Sequence, residues 1–274
     1  MFAASSLLFV PGSRPDRFAK ARAAGAGLTI IDLEDAVAAD DKDTAREAAL
    51  NETASDGATL AIRINAVGTA AGVADLAEFA QAAILPSTLL VPMVETADEL
   101  QTVAAALGER CPALIPLIET PRGLRHALSI AQTQNVAAVM FGGADFAGEL
   151  GVALAWEPLL AARGALILAC AEARVPAIDV PYIELDDSDG LTEECRRAKA
   201  LGFAAKAAIH PSQIGAIEAT FTPSAAELAE AVEALAAFRD GGERAIRFKG
   251  RMLEAPVIKR YRAILMKKGN LENA

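Results

Sequence analysis

The sequence Leu-Ile-Pro-Leu-Ile-Glu-Thr-Pro at residues 114–121 and the sequence Val-Ala-Ala-Val-Met-Phe-Gly-Gly-Ala-Asp at residues 136–145 decide the fold. Each begins with an apolar run too short for a typical helix, and each run leads to a carboxylate, Glu119 or Asp145. The amphipathic segment 123–131 between them is long enough for a crossover helix, so the stretch predicts a parallel strand–helix–strand unit. Both acids are then expected at strand ends on one edge of the sheet, where α/β folds place their chemistry. Two hard oxygen ligands there are typical of a site for a divalent cation such as Mg²⁺.

Similar short runs recur along the chain and predict an α/β fold, a (β/α)8 TIM barrel, over residues 1–222. Eight runs, each followed by a helix-like segment, match the count that this fold requires. The runs are Ser6–Val10, Leu28–Asp32, Leu60–Ile64, Leu89–Val91, Ala113–Ile118, Ala137–Phe141, Ala177–Val180 and Ala204–Ile209. Pro158 and Pro211 suit the first position of the helices that they open.

Residues 223–274 lie beyond the eighth repeat and predict a C-terminal helical extension within the same structural unit. Ser224 and Glu227 have the spacing of a capping box, and a basic helix is expected over Val257–Lys268. Because this segment is outside the barrel repeat, we expect it to act as a lid or as an arm that reaches a neighbouring subunit.

The composition excludes several classes of protein. Although 53% of the residues are hydrophobic, no apolar run reaches the length of a membrane span, and the start lacks the basic region of a signal peptide. Three cysteines without metal-type or redox-type spacing fit a reducing cytoplasm. A net charge of −10 argues against nucleic acids and anionic membranes as partners, but leaves room for a local cationic patch that binds a phosphorylated cofactor.

Carboxylates follow several predicted strands, and in a barrel many of them would point into one mouth. They are Asp32, Glu34, Asp35, Glu95, Glu119, Asp145 and Asp179. Any one of them could instead cap or stabilise the start of a helix. The convergence of several favours a metal and acid/base site.

Arg63, His210 and His126 are the other candidates for chemistry. Arg63 lies inside a strand between two isoleucines, so it needs a partner: either an internal salt bridge or a substrate carboxylate or enolate that it clamps. His210, at the end of the eighth run, either works at the active face or fixes its loop, and His126 is expected to be structural. No serine elbow, Walker loop or dinucleotide glycine motif is present.

A series of motifs in fixed order resembles the citrate lyase β-subunit-like branch of the HpcH/HpaI aldolase family. The motifs are Val10–Arg14, Ile31–Val37, Arg63–Asn65, Leu117–Thr120, Phe141–Phe146 with Leu150-Gly151, Asp189–Glu194, Leu201–Phe203 and Lys206–Gln213. The resemblance covers nearly the whole chain. It implies a (β/α)8 barrel that binds Mg²⁺, assembles as trimers or hexamers, and makes or breaks the carbon–carbon bond between a 2-oxo acid and an acetyl thioester.

The resemblance also implies roles for individual residues. Glu119 and Asp145 match the metal ligands, and Arg63 matches the arginine that binds substrate and serves catalysis. Glu254 matches an acid, usually Asp, that closes over the site from the C-terminal segment, often of a neighbouring subunit. We assign Arg14, Asp32 and Glu34, with Glu119, to substrate binding as well. Two departures bear on the substrate: Met93 replaces a lysine that is common in relatives, and Glu254 is one methylene longer than Asp.

The first hypothesis is therefore a Mg²⁺-dependent oxo-acid lyase that cleaves a citramalyl-CoA, malyl-CoA or citryl-CoA type of thioester into acetyl-CoA and a 2-oxo acid through an enolate. Arg63 would stabilise the enolate charge and Glu254 would protonate its carbon. The alternatives are a β subunit that cleaves citryl-acyl carrier protein within a citrate lyase complex, a non-catalytic barrel that binds a CoA thioester or dicarboxylate, and an aldolase that acts on free oxo acids.

Overall fold

The structure is a computed structural model that describes residues 2–56 and 60–267. The chain forms two compact units, Met1–Phe221 and Thr222–Ala274. Within the described residues, no helix is both long and apolar enough to cross a membrane.

The first unit is a closed barrel of eight parallel strands, which confirms the predicted fold. The strands are β1 Ser6–Pro11, β2 Leu28–Asp32, β3 Leu60–Arg63, β4 Thr88–Val91, β5 Ala113–Ile118, β6 Val139–Phe141, β7 Ala177–Asp179 and β8 Ala205–Ala208. Each strand pairs with its neighbours in sequence. The barrel closes where β1 pairs with β8, with Ser6 beside Lys206 and Leu8 beside Ala208.

Helices follow the strands and surround the barrel. They are α1 Phe18–Ala23, α2 Lys42–Asp56, α3 Ala70–Gln81, α4 Ala97–Leu107, α5 Pro121–Arg125, α6 Ala127–Ala131, α7 Gly143–Leu150, α8 Trp156–Ala173, α9 Ser188–Leu201 and α10 Ile214–Phe221. The crossover predicted as one helix is two, because His126 leaves the helical conformation at φ −101° and ψ 6°. Pro211 opens a 3-10 turn as predicted, whereas α8 begins at Trp156, so that Pro158 is its third residue.

Successive residues of each strand face alternately into the barrel lumen and out towards the helices. This alternation produces two apolar layers and determines which polar side chains point into the lumen. On β1, Leu7 packs with the residues that fill the lumen, while Leu8 and Val10 pack against the surrounding helices. On β3, Ala61 belongs to the lumen layer, and Arg63, two residues later, shares its face. The same alternation directs Asp32 and Glu119 inward, because Ile30 and Leu117 are lumen residues.

The second unit contains α11 Ala225–Asp240, a hairpin of β9 Ile246–Phe248 and β10 Arg251–Leu253, and α12 Ala255–Lys267. The predicted capping box is present: Ser224 Oγ accepts from the Glu227 N–H, and the Glu227 carboxylate accepts from the Ser224 N–H. The hairpin was not predicted. Lys268, the predicted last residue of the basic helix, lies outside the described residues. That residues 1–222 and 223–274 form one structural unit remains a prediction.

Candidate active site

A cavity of about 420 Å³ lies at the carboxyl ends of the barrel strands. Its walls are largely apolar and include Phe9, Leu117, Met140, Val180 and Ile183. Its charged lining residues are Asp32, Asp35, Arg63, Glu119 and Asp145. The size and the few convergent polar groups are those of a small-molecule site.

Arg63 is anchored on one side by a carboxylate on the neighbouring strand. Asp32 and Arg63 are register partners in the β2–β3 pairing. Arg63 Nε donates to Asp32 Oδ1 at 2.6 Å, and Nη2 donates to Oδ2 at 2.7 Å. The Arg63 guanidinium also lies over the Phe9 ring, with Cζ 5.2 Å from the ring centroid. Because the pair is bidentate and half of it comes from each strand, the orientation of the guanidinium is fixed.

Two further acids surround the remaining edge of Arg63. Nη1 lies 2.7 Å from Glu34 Oε2 and 3.4 Å from Asp35 Oδ2. The Glu34 contact is an ion pair out of line with the N–H bonds, so Oε2 accepts no hydrogen bond. Burial raises the pKa of Glu34 to about 8. Arg63 opposes this rise, and Glu119, Asp35 and Asp32 add to it. The internal salt bridge considered for Arg63 is therefore present, and Arg63 lines the cavity as well.

Glu119 is buried directly beyond β5 and is held by the backbone of two other loops. Its Oε2 accepts the Met93 N–H at 2.6 Å. Met93 adopts φ 55°, a left-handed conformation that is costly for a residue with a side chain. On the other side, a Cβ at Gly142 would lie 2.1 Å from Glu119 Cγ. The Glu119 side chain thus occupies the space that a Cβ at position 142 would fill, so only glycine fits at that position.

Asp145 reaches the same cavity from a helix. β6 ends at Phe141, and Asp145 is in the first turn of α7, so the expectation that it ends a strand was wrong by four residues. Burial raises the pKa of Asp145, with Asp35 adding to the rise and Arg63 opposing it. Burial likewise raises the pKa of Glu119 to about 7; the Met93 N–H and Arg63 oppose this rise, and Asp145 and Asp35 add to it.

The donor set fits a magnesium ion. Across residues 2–56 and 60–267, no group of three or more His, Cys, Asp or Glu side chains is arranged to hold a metal. Mg²⁺, however, is commonly held by one or two carboxylates, with waters and substrate oxygens completing its shell. Glu119 and Asp145 provide two such carboxylates in one cavity. Burial disfavours the ionised form of both, and the charge of Asp145 adds to this effect on Glu119. A divalent cation would offset these costs.

Arg14 and Glu34, which were also predicted to bind substrate, do not line the cavity, and Glu254, predicted to be catalytic, belongs to the second unit. Arg14, on the loop after β1, is exposed and makes a bidentate pair with Asp16 at 2.8 and 2.9 Å. Glu34 contacts Arg63 but does not line the cavity. Glu254 is exposed in the second unit, where its carbonyl accepts the N–H groups of Val257 and Ile258 at the start of α12. The roles of these residues remain predictions.

Asp179 and Glu95 do not reach the cavity. Asp179 is fully buried on the outer face of β7, where Lys206 Nζ lies 2.7 Å from Oδ2 and Arg163 Nε lies 2.9 Å from Oδ1. Burial alone would raise the pKa of Asp179, but these two cations outweigh it and lower the pKa. Glu95 accepts from Thr120 Oγ1 at 2.9 Å outside the lining.

Met93 and Gly142 both contact or border Glu119 in a way that the sequence did not predict. Met93 was noted only for its side chain, whereas its backbone N–H makes the contact. Gly142 is inside the motif Phe141–Phe146, but no role was predicted for it. The signal for Gly142 was its position directly after β6, beside the strand that ends next to Glu119.

The fold and the cavity together define a class of protein: a (β/α)8 barrel that presents an anchored arginine and two carboxylates at its strand ends. The chain belongs to the HpcH/HpaI aldolase/citrate lyase family, whose sequence model matches residues 5–211. A second model, described as a C–C bond lyase of the TIM-barrel fold, matches residues 167–271. The resemblance seen in the motifs is confirmed, and the chain is an enzyme of the carbon–carbon lyase class.

Named relatives and a solved structure agree with this assignment. The mitochondrial citramalyl-CoA lyase of Rattus norvegicus is 32% identical over 286 aligned positions, which cover 95% of this chain and 84% of that protein. A (3S)-malyl-CoA thioesterase of Cereibacter sphaeroides is 36% identical over 240 positions, covering 86% and 83%. The crystal structure of CitE from Mycobacterium tuberculosis with magnesium, acetoacetate and coenzyme A is 35% identical, covers 97% of this chain and 98% of that chain, and superposes with a TM-score of 0.83.

Proposed function

We propose that the protein is a Mg²⁺-dependent lyase that cleaves a 3-hydroxyacyl-CoA of the citramalyl-CoA, malyl-CoA or citryl-CoA type into acetyl-CoA and a 2-oxo acid. The observation that carries this proposal is one cavity in which an arginine fixed by Asp32 shares the space with Glu119 and Asp145. Relatives named for citramalyl-CoA and malyl-CoA and a neighbour solved with magnesium and coenzyme A support it.

Glu119 and Asp145 would hold the metal. When bound, Mg²⁺ would orient the hydroxyl and carboxylate oxygens of the substrate and make the hydroxyl more acidic. The Met93 N–H and the space at Gly142 position the Glu119 carboxylate for this task.

Arg63 provides the fixed positive charge for the bond-breaking step. The hydroxyl gives up its proton to solvent water, its oxygen becomes the ketone of the 2-oxo acid, and the electrons of the carbon–carbon bond pass into the thioester as an enolate. Since Asp32 holds the guanidinium before the substrate arrives, Arg63 can stabilise the developing negative charge without reorganising. The apolar walls, among them Leu117 and Met140, keep the dielectric low and strengthen that interaction.

Glu254 is the proposed proton donor to the enolate carbon, which turns the enolate into the methyl group of acetyl-CoA. In the reverse direction its carboxylate would remove a proton from that methyl group. We propose that the C-terminal unit, contributed by the same chain or by a neighbour in a homotrimer or hexamer, brings this acid to the cavity and excludes water.

A panel of CoA thioesters tests the proposal, with Mg²⁺ or EDTA present and acetyl-CoA, free CoA, pyruvate, glyoxylate and oxaloacetate all measured. We expect Mg²⁺-dependent release of acetyl-CoA with one oxo acid, and its loss in Glu119→Ala. The control Glu193→Ala, at an exposed acid on α9, should retain the activity. Full activity in Glu119→Ala would refute the assignment of the metal ligand.

Other product patterns identify the alternatives. Free CoA without an oxo acid would indicate thioester hydrolysis, the activity named for the Cereibacter sphaeroides relative. Cleavage only of acyl carrier thioesters would indicate a citrate lyase β subunit, and tight thioester binding without products would indicate a non-catalytic barrel. For Glu254→Gln, we expect loss of solvent deuterium incorporation into acetyl-CoA; unchanged incorporation would remove Glu254 from the mechanism.

A further inference from the structure

A second cavity, of about 230 Å³, adjoins the first beside β7. Leu154, Val180, Pro181 and Ile183 line both cavities. These residues come from the segment between α7 and α8 and from the segment that follows β7. The volume is below that of pockets for drug-sized ligands, so the second cavity suits a molecule of a few atoms.

Helix α8 begins at this second cavity. Ala155, its N-cap, and Trp156, its first residue, both line the cavity. The first N–H groups of a helix have no acceptor within the helix and form the positive end of its dipole. A polar N-cap side chain usually accepts from them, but Ala155 has none to offer. Glu157, the acid of the first turn, lies 2.9 Å from Arg197 and does not line the cavity.

Arg163 brings a buried donor without a partner to the same cavity. Its side chain is 1% exposed and lines the cavity. Helical side chains lean towards the helix N-terminus, and Arg163 Cζ lies 4.7 Å from the Trp156 ring centroid, so the guanidinium reaches the start of α8. Nε donates to Asp179 Oδ1 at 2.9 Å. Nη1 is buried and has no hydrogen-bond partner among the residues that the structure describes.

Both groups favour an acceptor that carries negative charge. A buried arginine N–H without an acceptor is costly and indicates a ligand or water that completes it. The uncapped start of α8 is an independent preference for an anion at the same place. A carboxylate has two oxygens and can accept from the guanidinium and from the helix end together.

The charge balance around the cavity limits the ligand to a single negative charge. Lys206 Nζ lies 2.7 Å from both Asp179 Oδ2 and Glu194 Oε1. Together with Arg163 on Asp179, these two cations and two acids cancel. Glu194 and the exposed Glu184 also line the cavity, and they would repel a multiply charged anion such as phosphate. The walls shared with the first cavity are largely apolar and suit a short hydrocarbon tail.

We propose that this second cavity binds a small monocarboxylate. Its oxygens accept from Arg163 Nη1 and from the N–H groups at the start of α8, and its apolar tail packs against Leu154 and Val180. The inference does not depend on the proposed function, because it involves neither Mg²⁺ nor a thioester.

Fluorescence gives a direct test, because Trp156 is the one tryptophan of the chain. Propionate is titrated into the full-length protein with EDTA present and with NaCl keeping the ionic strength constant. We expect a saturable change in Trp156 fluorescence, and calorimetry should give one propionate per chain. Phosphate, titrated in the same way, should bind more weakly than propionate.

Two variants change the two donors separately. Arg163→Lys keeps a cation beside Asp179 but removes Nη1, and should weaken propionate binding by about tenfold or more. Ala155→Asp places a carboxylate at the N-cap of α8, so it should raise the Tm and abolish the fluorescence response to propionate. Arg174→Lys, at the exposed C-cap of the same helix, is the matched control and should bind propionate like the wild type.

The outcomes that overturn the inference are separate from those that refute the proposed function. Wild-type propionate affinity in folded Arg163→Lys and in Ala155→Asp would overturn the inference. So would an absence of saturable binding to the wild type, or equal binding of phosphate and propionate. Carboxylate binding that both variants lose, in a protein that cleaves no thioester, would support the inference and refute the proposed function. Thioester cleavage without carboxylate binding at this cavity would do the reverse.

Discussion

Replacing Gly142 with alanine tests how the Glu119 carboxylate is positioned. The added Cβ would lie 2.1 Å from Glu119 Cγ and 2.6 Å from Oε1, far inside contact distance. Gly142 has φ −88°, a negative value that residues with a side chain adopt, so we expect the clash to be the main effect of the substitution. Glu119 must move, and its hydrogen bond from the Met93 N–H must lengthen or break.

The expected cost has two parts. Overpacking a buried site costs about 1–3 kcal/mol, and at about 2–4 °C per kcal/mol the Tm should fall by roughly 2–12 °C. Because the displaced group is the proposed metal ligand, the Mg²⁺ affinity should fall by about 10–100-fold, as when a partner that orients a ligand is removed.

The measurements are the Tm, the Mg²⁺ concentration that gives half-maximal lyase activity, and Mg²⁺ binding by calorimetry. Gly148→Ala is the matched control, because Gly148 is inside the same helix α7 and a Cβ there meets no atom within 4 Å. That variant should keep its Mg²⁺ affinity and gain about 0.5–1 kcal/mol of stability from the helix interior. A Gly142→Ala protein with wild-type Mg²⁺ dependence and Tm would refute the packing argument.

Three further perturbations have defined outcomes. Met93→Val places a β-branched residue at φ 55°, so it should lower the free energy of unfolding, measured by urea denaturation, by about 1–3 kcal/mol and weaken Mg²⁺ binding. Met93→Gly should retain Mg²⁺ binding. Equal Mg²⁺ binding by the two variants would contradict the role of the backbone. Arg63→Ala leaves Asp32 buried without its cation and should cost about 3–5 kcal/mol as well as the activity, and Arg63→Lys should restore more of the stability than of the activity. Asp179→Asn should cost about 3–5 kcal/mol at pH 7, because Lys206 is then buried with less compensation. The pKa of Asp179 is below its ordinary value of 3.8, so its stabilisation is complete above that pH and is lost as the pH falls through the folded pKa. The Tm difference between wild type and Asp179→Asn should therefore shrink below about pH 4, and a constant difference would show that Asp179 is not ionised in the native state.

The barrel was predictable because its strands are short apolar runs buried on both faces. β2 and β5 have the predicted bounds, and the other strands differ from the predicted runs by one or two residues at an end. Such runs are hard to confuse with surface helices once eight of them recur at helix-length intervals. The β9–β10 hairpin was missed, because its two strands are three residues each and mostly exposed, so neither has a clear pattern.

The cavity was only partly predictable. Sequence alone placed Asp32, Glu119 and Asp179 at strand ends, but it did not show which face of each strand was inward. Ala177 packs on the outer layer, so Asp179, two residues later, points away from the cavity. The close approach of Gly142 to Glu119 depends on the relative positions of β5 and β6 and cannot be found from either segment by itself.

At position 93, the backbone and the side chain have different surroundings. Its backbone N–H supports Glu119, while its side chain is partly exposed and takes no part in that contact. Natural drift or laboratory evolution can therefore exchange many unbranched side chains at position 93 without disturbing the carboxylate beneath. A library of variants at residue 93 would therefore change the exposed surface at this point while the backbone contact keeps Glu119 in place.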